Sequence, residues 1–198
     1  NIKNIFGSEA NEIVLYNSPL CSYFVLMYAL KVTNNSTEDL ISIKRTLVNA
    51  YNKLLANNIY SRVIETILSK QTKKDYINKI KKKQLSFESM IMNEKYIMTQ
   101  FDLWVFCNYK NLPIVIFTPE SYKSFQIESN FIILGGDINN DNYIFVKSNP
   151  IKPKDNTPSS FSIIEPQMKL SEIDNVIMNR TSLEDYLSNY KFQLNIKK

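Results

Sequence analysis

Apolar residues recur at helical spacing through Leu40, Ile43, Leu47, Tyr51 and Leu54, which predicts an amphipathic helix from about Glu38 onward. Ser36, with Asp39 three residues on, is its candidate N-cap. Two further periodic stretches predict helices over Asn58 to Leu68 and over Lys73 to Lys83, the latter with Thr72 as a candidate cap. Ser86, with Ser89 and Met90, opens a short helical stretch. A longer helix is predicted over Tyr96 to Tyr109, with Thr99 as a candidate start. Phe101, Val105 and Tyr109 share one of its faces, Trp104 lies beside them in the core, and Leu112-Pro113 ends it. The apolar run Ile114 to Phe117, closed by Pro113 and Pro119, reads as a buried strand. Asn130 to Leu134 and Asn142 to Lys147 read as two more. Upstream, Glu9 to Tyr16 is a short strand or an approach, and Ser18-Pro19-Leu20 is a turn. A helix from Cys21 through Leu30 follows, with Phe24, Met27 and Tyr28 on its apolar face, and its lack of a polar stripe predicts near-complete burial.

A helix-rich first half followed by a few short strands predicts an α+β fold, with the helical N-terminal half packed on a small central β-sheet. The pattern divides the chain into a domain over 1–148 and a tail over 149–198. Pro150, Pro153 and Pro158 open that tail as an irregular linker. Helices are predicted in it at Ser171 to Met178 and at Leu183 to Tyr190, the second capped by Thr181 or Ser182. This tail is expected to pack on the domain or on a partner.

Composition narrows the chemistry. The chain has 198 residues and no histidine, so no imidazole can act as a base, a metal ligand or a switch near neutral pH. The net charge of +5 favours weak attraction to polyanions without specifying one. Two cysteines, Cys21 and Cys107, form no dense framework, and Cys107 falls in an apolar helical pattern that predicts a buried thiol. A reduced, cytoplasmic setting without a membrane span is the expectation. The abundance of Asn, Ile, Lys and Tyr is compatible with an AT-rich genome, and the start at Asn1 suggests a part of a larger protein.

Cys21 follows a proline-containing turn and heads a helix, where free amides and the helix dipole favour a thiolate. A nucleophile there also needs a proton acceptor; a structural thiol needs none. The stretches Ser18-Pro19-Leu20-Cys21-Ser22-Tyr23-Phe24, Tyr96 to Trp104 running into Leu112 to Phe117, and Asn142-Tyr143-Ile144-Phe145-Val146 occur in an order that resembles the ovarian-tumour (OTU) family of cysteine deubiquitinases. The resemblance covers about residues 12 to 148 and implies a papain-type cysteine protease fold. It sets Cys21 at the family nucleophile, Asn142 at the family base and Ser18 at the first Asp of the family's cysteine motif. Met98-Thr99 stand where the family has a Gly-Gly. Since Asn cannot carry the proton of peptide hydrolysis, the resemblance implies a catalytically inactive domain serving protein interaction or scaffolding, in which Cys21 and Asn142 face each other across a vestigial cleft. Large DNA viruses carry divergent domains of this type, and ubiquitin is the partner the family suggests. An active deubiquitinase using Cys21 with an unusual base is the alternative.

Other chemistry is thinner. With no His and two distant cysteines there is no zinc spacing, and no cofactor is implied. Asp137-Ile138-Asn139-Asn140-Asp141 is oxygen-rich but lacks an EF-hand frame, so a polar loop is expected. Asp102 reads as a surface acid near a helix start. Lys79, Lys81, Lys82 and Lys83 end a helix beside Lys70, Lys73 and Lys74, either as a solvated helix end or as contacts to a nucleic acid backbone. Nucleic-acid binding is therefore carried as a second partner class beside another protein or domain.

Overall fold

The computed structural model describes residues 2–15, 19–117, 131–149, 160–173 and 181–196. In chain order these form α1 (Lys3–Phe6), β1 (Asn11–Val14), α2 (Cys21–Asn34), α3 (Leu40–Leu55), α4 (Asn58–Leu68), α5 (Lys74–Lys81), α6 (Phe87–Met92) and α7 (Gln100–Lys110). Then follow β2 (Ile114–Phe117), β3 (Phe131–Ile133), β4 (Tyr143–Asn149), β5 (Ser160–Met168) and α8 (Leu183–Ile196). The protein is a mixed α+β fold made of two compact units. A sheet unit comprises Asn1–Glu38 with Ile97–Thr181, and a helical unit comprises Asp39–Tyr96 with Ser182–Lys198.

Among the described residues the sheet unit has five strands in the order β1-β5-β4-β2-β3. β2 and β4 run parallel, joined through β3, and the other pairs are antiparallel. Alternation along β4 sends Tyr143 and Phe145 to one face and Ile144 and Val146 to the other, and all four are buried because both faces are covered. On the first face Phe6 of α1 packs against Phe117 and Phe145, with ring centroids 5.2 and 5.0 Å away. On the second face lies α2, whose Tyr28 hydroxyl donates to Glu165 of β5. The Ser22 hydroxyl of α2 donates to the Met98 carbonyl just before α7 (2.9 Å).

Helix α7 starts at a full capping box. The Thr99 hydroxyl accepts the Asp102 N–H, and the Asp102 carboxylate accepts the Thr99 N–H at 2.7 Å. Asp102 is thus a buried capping residue rather than the surface acid expected from the sequence. Trp104 and Cys107 are core residues, as the pattern predicted. The helix ends at Asn111 in the left-handed conformation, and its side-chain carbonyl accepts the Gly136 N–H at 3.0 Å.

The strand β5 corrects the sequence reading most. The segment after 148 is expected to be a linker and a helical tail, yet residues 160–168 form the longest strand among the described residues, paired with both β1 and β4. Pro166 lies where the β4–β5 register shifts, so its missing N–H is tolerated there. Of the helix expected at Ser171 to Met178 the structure shows a single 3₁₀ turn, Leu170–Glu172, and residues 174–180 lie outside the described residues. The last expected helix is present as α8, and the Ser182 hydroxyl accepts the Asp185 N–H there (3.0 Å).

In the helical unit α3 and α4 form as the periodicity predicts, though Asp39 caps α3 in place of Ser36 by accepting the Ser42 N–H (2.7 Å). A π-helical turn, Ser69–Lys73, joins α4 to α5. Inside this unit the buried Lys73 ammonium donates to the Tyr96 hydroxyl at 2.8 Å. Ser86 caps α6, as its sequence suggested. α8 packs on α4, and the Lys70 ammonium donates to the Tyr190 hydroxyl (2.9 Å).

Candidate functional site

Cys21 opens α2, but its thiol is buried and acts as a structural acceptor. The N–H of Phe161, at the start of β5, donates to Cys21 Sγ over 3.3 Å. Burial pushes the thiol above its ordinary value, and the Phe161 N–H only partly offsets this. The thiolate expected from the helix start is therefore disfavoured, because desolvation outweighs the one N–H that donates to the sulfur.

Asn142 is exposed, immediately before β4. Phe161 pairs with Ser148 at the opposite end of that strand. The six steps from Asn142 to Ser148 span about 20 Å at roughly 3.3 Å per residue. Tyr28, further along α2, reaches Glu165, so α2 runs alongside β5 in the same direction and antiparallel to β4. The start of α2 therefore meets the end of β4, and the structure does not bring Cys21 and Asn142 together. The vestigial cleft expected between them is corrected on this point. Ser18, the third residue of the resemblance, lies outside the described residues.

The remaining candidates are placed as follows. Both carboxylates of the Asp137–Asp141 loop are used within it. Asp141 accepts the Asp137 N–H, and Asp137 accepts from the Asn139 N–H (3.0 Å) and from the Asn140 amide (2.8 Å). No His, Cys, Asp and Glu cluster able to hold a metal occurs among the described residues. Lys79, Lys81, Lys82 and Lys83 sit at the C-terminal end of α5, where cations complement the helix dipole. Lys81 pairs with Glu65 of α4 at 3.5 Å. Lys83 holds a left-handed conformation, φ 57°, while its N–H bonds to the Ile80 carbonyl and the Gln84 N–H to the Lys79 carbonyl.

A different surface of the sheet unit is unaccounted for by packing. Among the described residues β1 is an edge strand, bonded to β5 alone. The Leu15 N–H donates to the Phe161 carbonyl (3.0 Å), so by alternation Ile13 and Leu15 turn their backbone groups toward β5. Glu12 and Val14 turn theirs to the open edge. Val14 is 62% exposed and Ile13 is exposed as well. Leu20 at the N-cap of α2, with Phe24 and Met27 along it, forms an exposed row with Phe24 45% exposed, against the burial expected for Phe24 and Met27 from the sequence. At 100° per residue, Ser22 marks the side toward α7 and Tyr28 the side toward β5. The exposed row lies beyond Tyr28, away from α7. Ile13 pairs with Ile163, between the β5 residues that α2 touches, so β1 and α2 lie against the same stretch of β5. Glu12, on the other face of β1, is tied to Lys147 by an ion pair of 3.0 Å.

Among the described residues no helix is long and apolar enough to cross a membrane. In comparisons with known proteins, no family model, no curated protein and no solved structure matches this chain.

Proposed function

We propose that this protein is a non-catalytic protein-binding domain that takes an extended segment of a partner protein as an added strand on β1. One observation carries the reading: among the described residues the outward backbone groups of Glu12 and Val14 have no strand partner, while Leu20, Phe24 and Met27 form an exposed apolar row at and along α2, which lies against the same stretch of β5. An added strand satisfies the backbone groups, and its alternate side chains cover Ile13 and Phe24. Main-chain pairing supplies affinity here and the apolar row supplies selectivity. The partner segment has alternating apolar residues over about four positions, the length of β1.

A cysteine-headed helix laid over a mixed sheet, with a helix–strand unit before a Tyr-led strand, supports descent from an ovarian-tumour-type scaffold. The separation of Cys21 from Asn142 and the raised thiol argue that such a scaffold no longer carries its reaction. Binding without hydrolysis is the part of that reading the geometry favours. Ubiquitin is one partner to test, and it is asked to bind at β1 rather than at Cys21.

The experiment is selection of displayed random peptides and of ubiquitin against the folded chain, with binders remeasured on Val14→Pro and Phe24→Ser. Val14→Pro removes one outward N–H on an edge strand without touching the β5 ladder. We expect binders with alternating apolar residues that lose at least about tenfold in affinity on either variant. Binders indifferent to both changes, or no binder at all, overturn the reading.

A further inference from the structure

The helical unit carries a cleft that the strand-addition surface does not involve. It lies between the first half of α4 and the last turns of α8 and has a volume of about 300 Å³. Ile59, Val63 and Leu194 give it apolar walls, and Arg62 and Lys191 bring two cationic side chains to it. Spacing explains the gathering: residues 59, 62 and 63 share one face of α4, and residues 191 and 194 share one face of α8.

Charge is unbalanced at this place. Among the described residues no carboxylate lines the cleft, and neither the Arg62 nor the Lys191 side chain has a partner. The acid nearest in sequence on α4, Glu65, is engaged by Lys81. Two like charges held at one concave site repel one another, and an anion between them relieves that repulsion. Apolar walls lower the local dielectric and strengthen such a pairing relative to open water. A guanidinium offers a planar fork suited to the paired oxygens of a carboxylate or phosphate. The volume corresponds to about ten water-sized groups at roughly 30 Å³ each, enough for an anionic head and a short hydrocarbon body.

We propose that the α4–α8 cleft binds a small amphiphilic oxyanion, its head between Arg62 and Lys191 and its apolar body against Ile59, Val63 and Leu194. The site is independent of the strand-addition reading and stands or falls without it.

The test is calorimetric titration of the full chain with octanoate, with octyl phosphate and with the neutral octanamide. Saturable one-to-one binding of an anionic probe is expected, with no comparable binding of octanamide. The tighter of octanoate and octyl phosphate identifies the head group. In the double variant Arg62→Gln, Lys191→Gln the affinity should fall at least about tenfold with the thermal melt unchanged. The exposed-lysine control Lys74→Gln should bind as the parent does. Equal binding of octanamide, undiminished binding by the double variant, or no saturable binding of either anion overturns the proposal.

Discussion

The backbone N–H of Phe161 donates to the thiol sulfur of Cys21, 140 residues earlier in the chain, over 3.3 Å. This bond fixes the start of α2 to the start of β5. It makes Cys21 part of the framework, since a sulfur that closes a buried strand end is not presented to a substrate.

Cys21 should accordingly be unreactive in the folded state. Its pKa is raised chiefly by burial, so folding favours the neutral thiol over the thiolate. The sign follows for stability: the contribution is complete below the unfolded thiol's pKa and is lost as pH rises through the folded one. A ubiquitin-derived electrophile and an aromatic disulfide reagent should label neither Cys21 nor Cys107 at pH 7.5 until denaturant is added. Rapid native labelling at Cys21 would restore the enzyme reading.

Cys21→Ala leaves the buried Phe161 N–H without an acceptor. Loss of the thiol should lower unfolding free energy by about 1–3 kcal/mol, measured by denaturant titration. A change within experimental error would mean that water or another acceptor replaces the sulfur at no cost.

How much of this was legible in the sequence differs by element. Ile114–Phe117 was readable because prolines bound a wholly apolar run, and Asn58–Leu68 because its periodicity leaves one phase. Ser160–Met168 was not, since Pro150, Pro153 and Pro158 read as a linker running into it, and only pairing with β1 and β4 makes a strand of it. In α2 apolar residues occupy nearly every position, so the pattern has no phase to tell exposed Phe24 and Met27 from buried Val25 and Leu26. The order of Cys21 and Asn142 along the chain is a one-dimensional fact. Which end of β4 faces the start of α2 depends on the direction of α2 over the sheet, and residue spacing does not encode that direction.

Gly135 is required by contact. A Cβ there would lie 2.6 Å from the backbone carbonyl oxygens of both Cys107 and Leu112. Gly135→Ala should destabilise the sheet unit by about 1–3 kcal/mol, seen as a lower melting temperature. An unchanged melt would show that the α7–β2 connection can shift to make room.

Lys83 adopts φ 57° at the end of α5, a conformation that glycine enters without steric cost. Lys83→Gly should raise the stability of the helical unit by a few tenths to about 1 kcal/mol. A loss of stability would indicate that the Lys83 side chain contributes more than its backbone strain costs.

Glu12 gives the sheet unit a pH dependence. Burial alone would raise its carboxyl, but the hydrogen bond and the charge of Lys147, with the Ser162 hydroxyl nearby, outweigh it and hold the pKa below the ordinary value. Stability from this pair is present above the unfolded glutamate's pKa and is lost as pH falls through the folded one. The pair is partly exposed, so its size is at most about 1 kcal/mol. Melts of the parent and of Glu12→Gln should converge as pH falls through the acidic range, and parallel curves would remove Glu12 as the source.

The central claim, strand addition at β1, is tested most directly by amide-resolved hydrogen exchange with and without a selected peptide. The account predicts that the Glu12 and Val14 amides, fast in the free protein, become protected at saturation. Protection elsewhere, with Glu12 and Val14 still exchanging at their free rates, would contradict it.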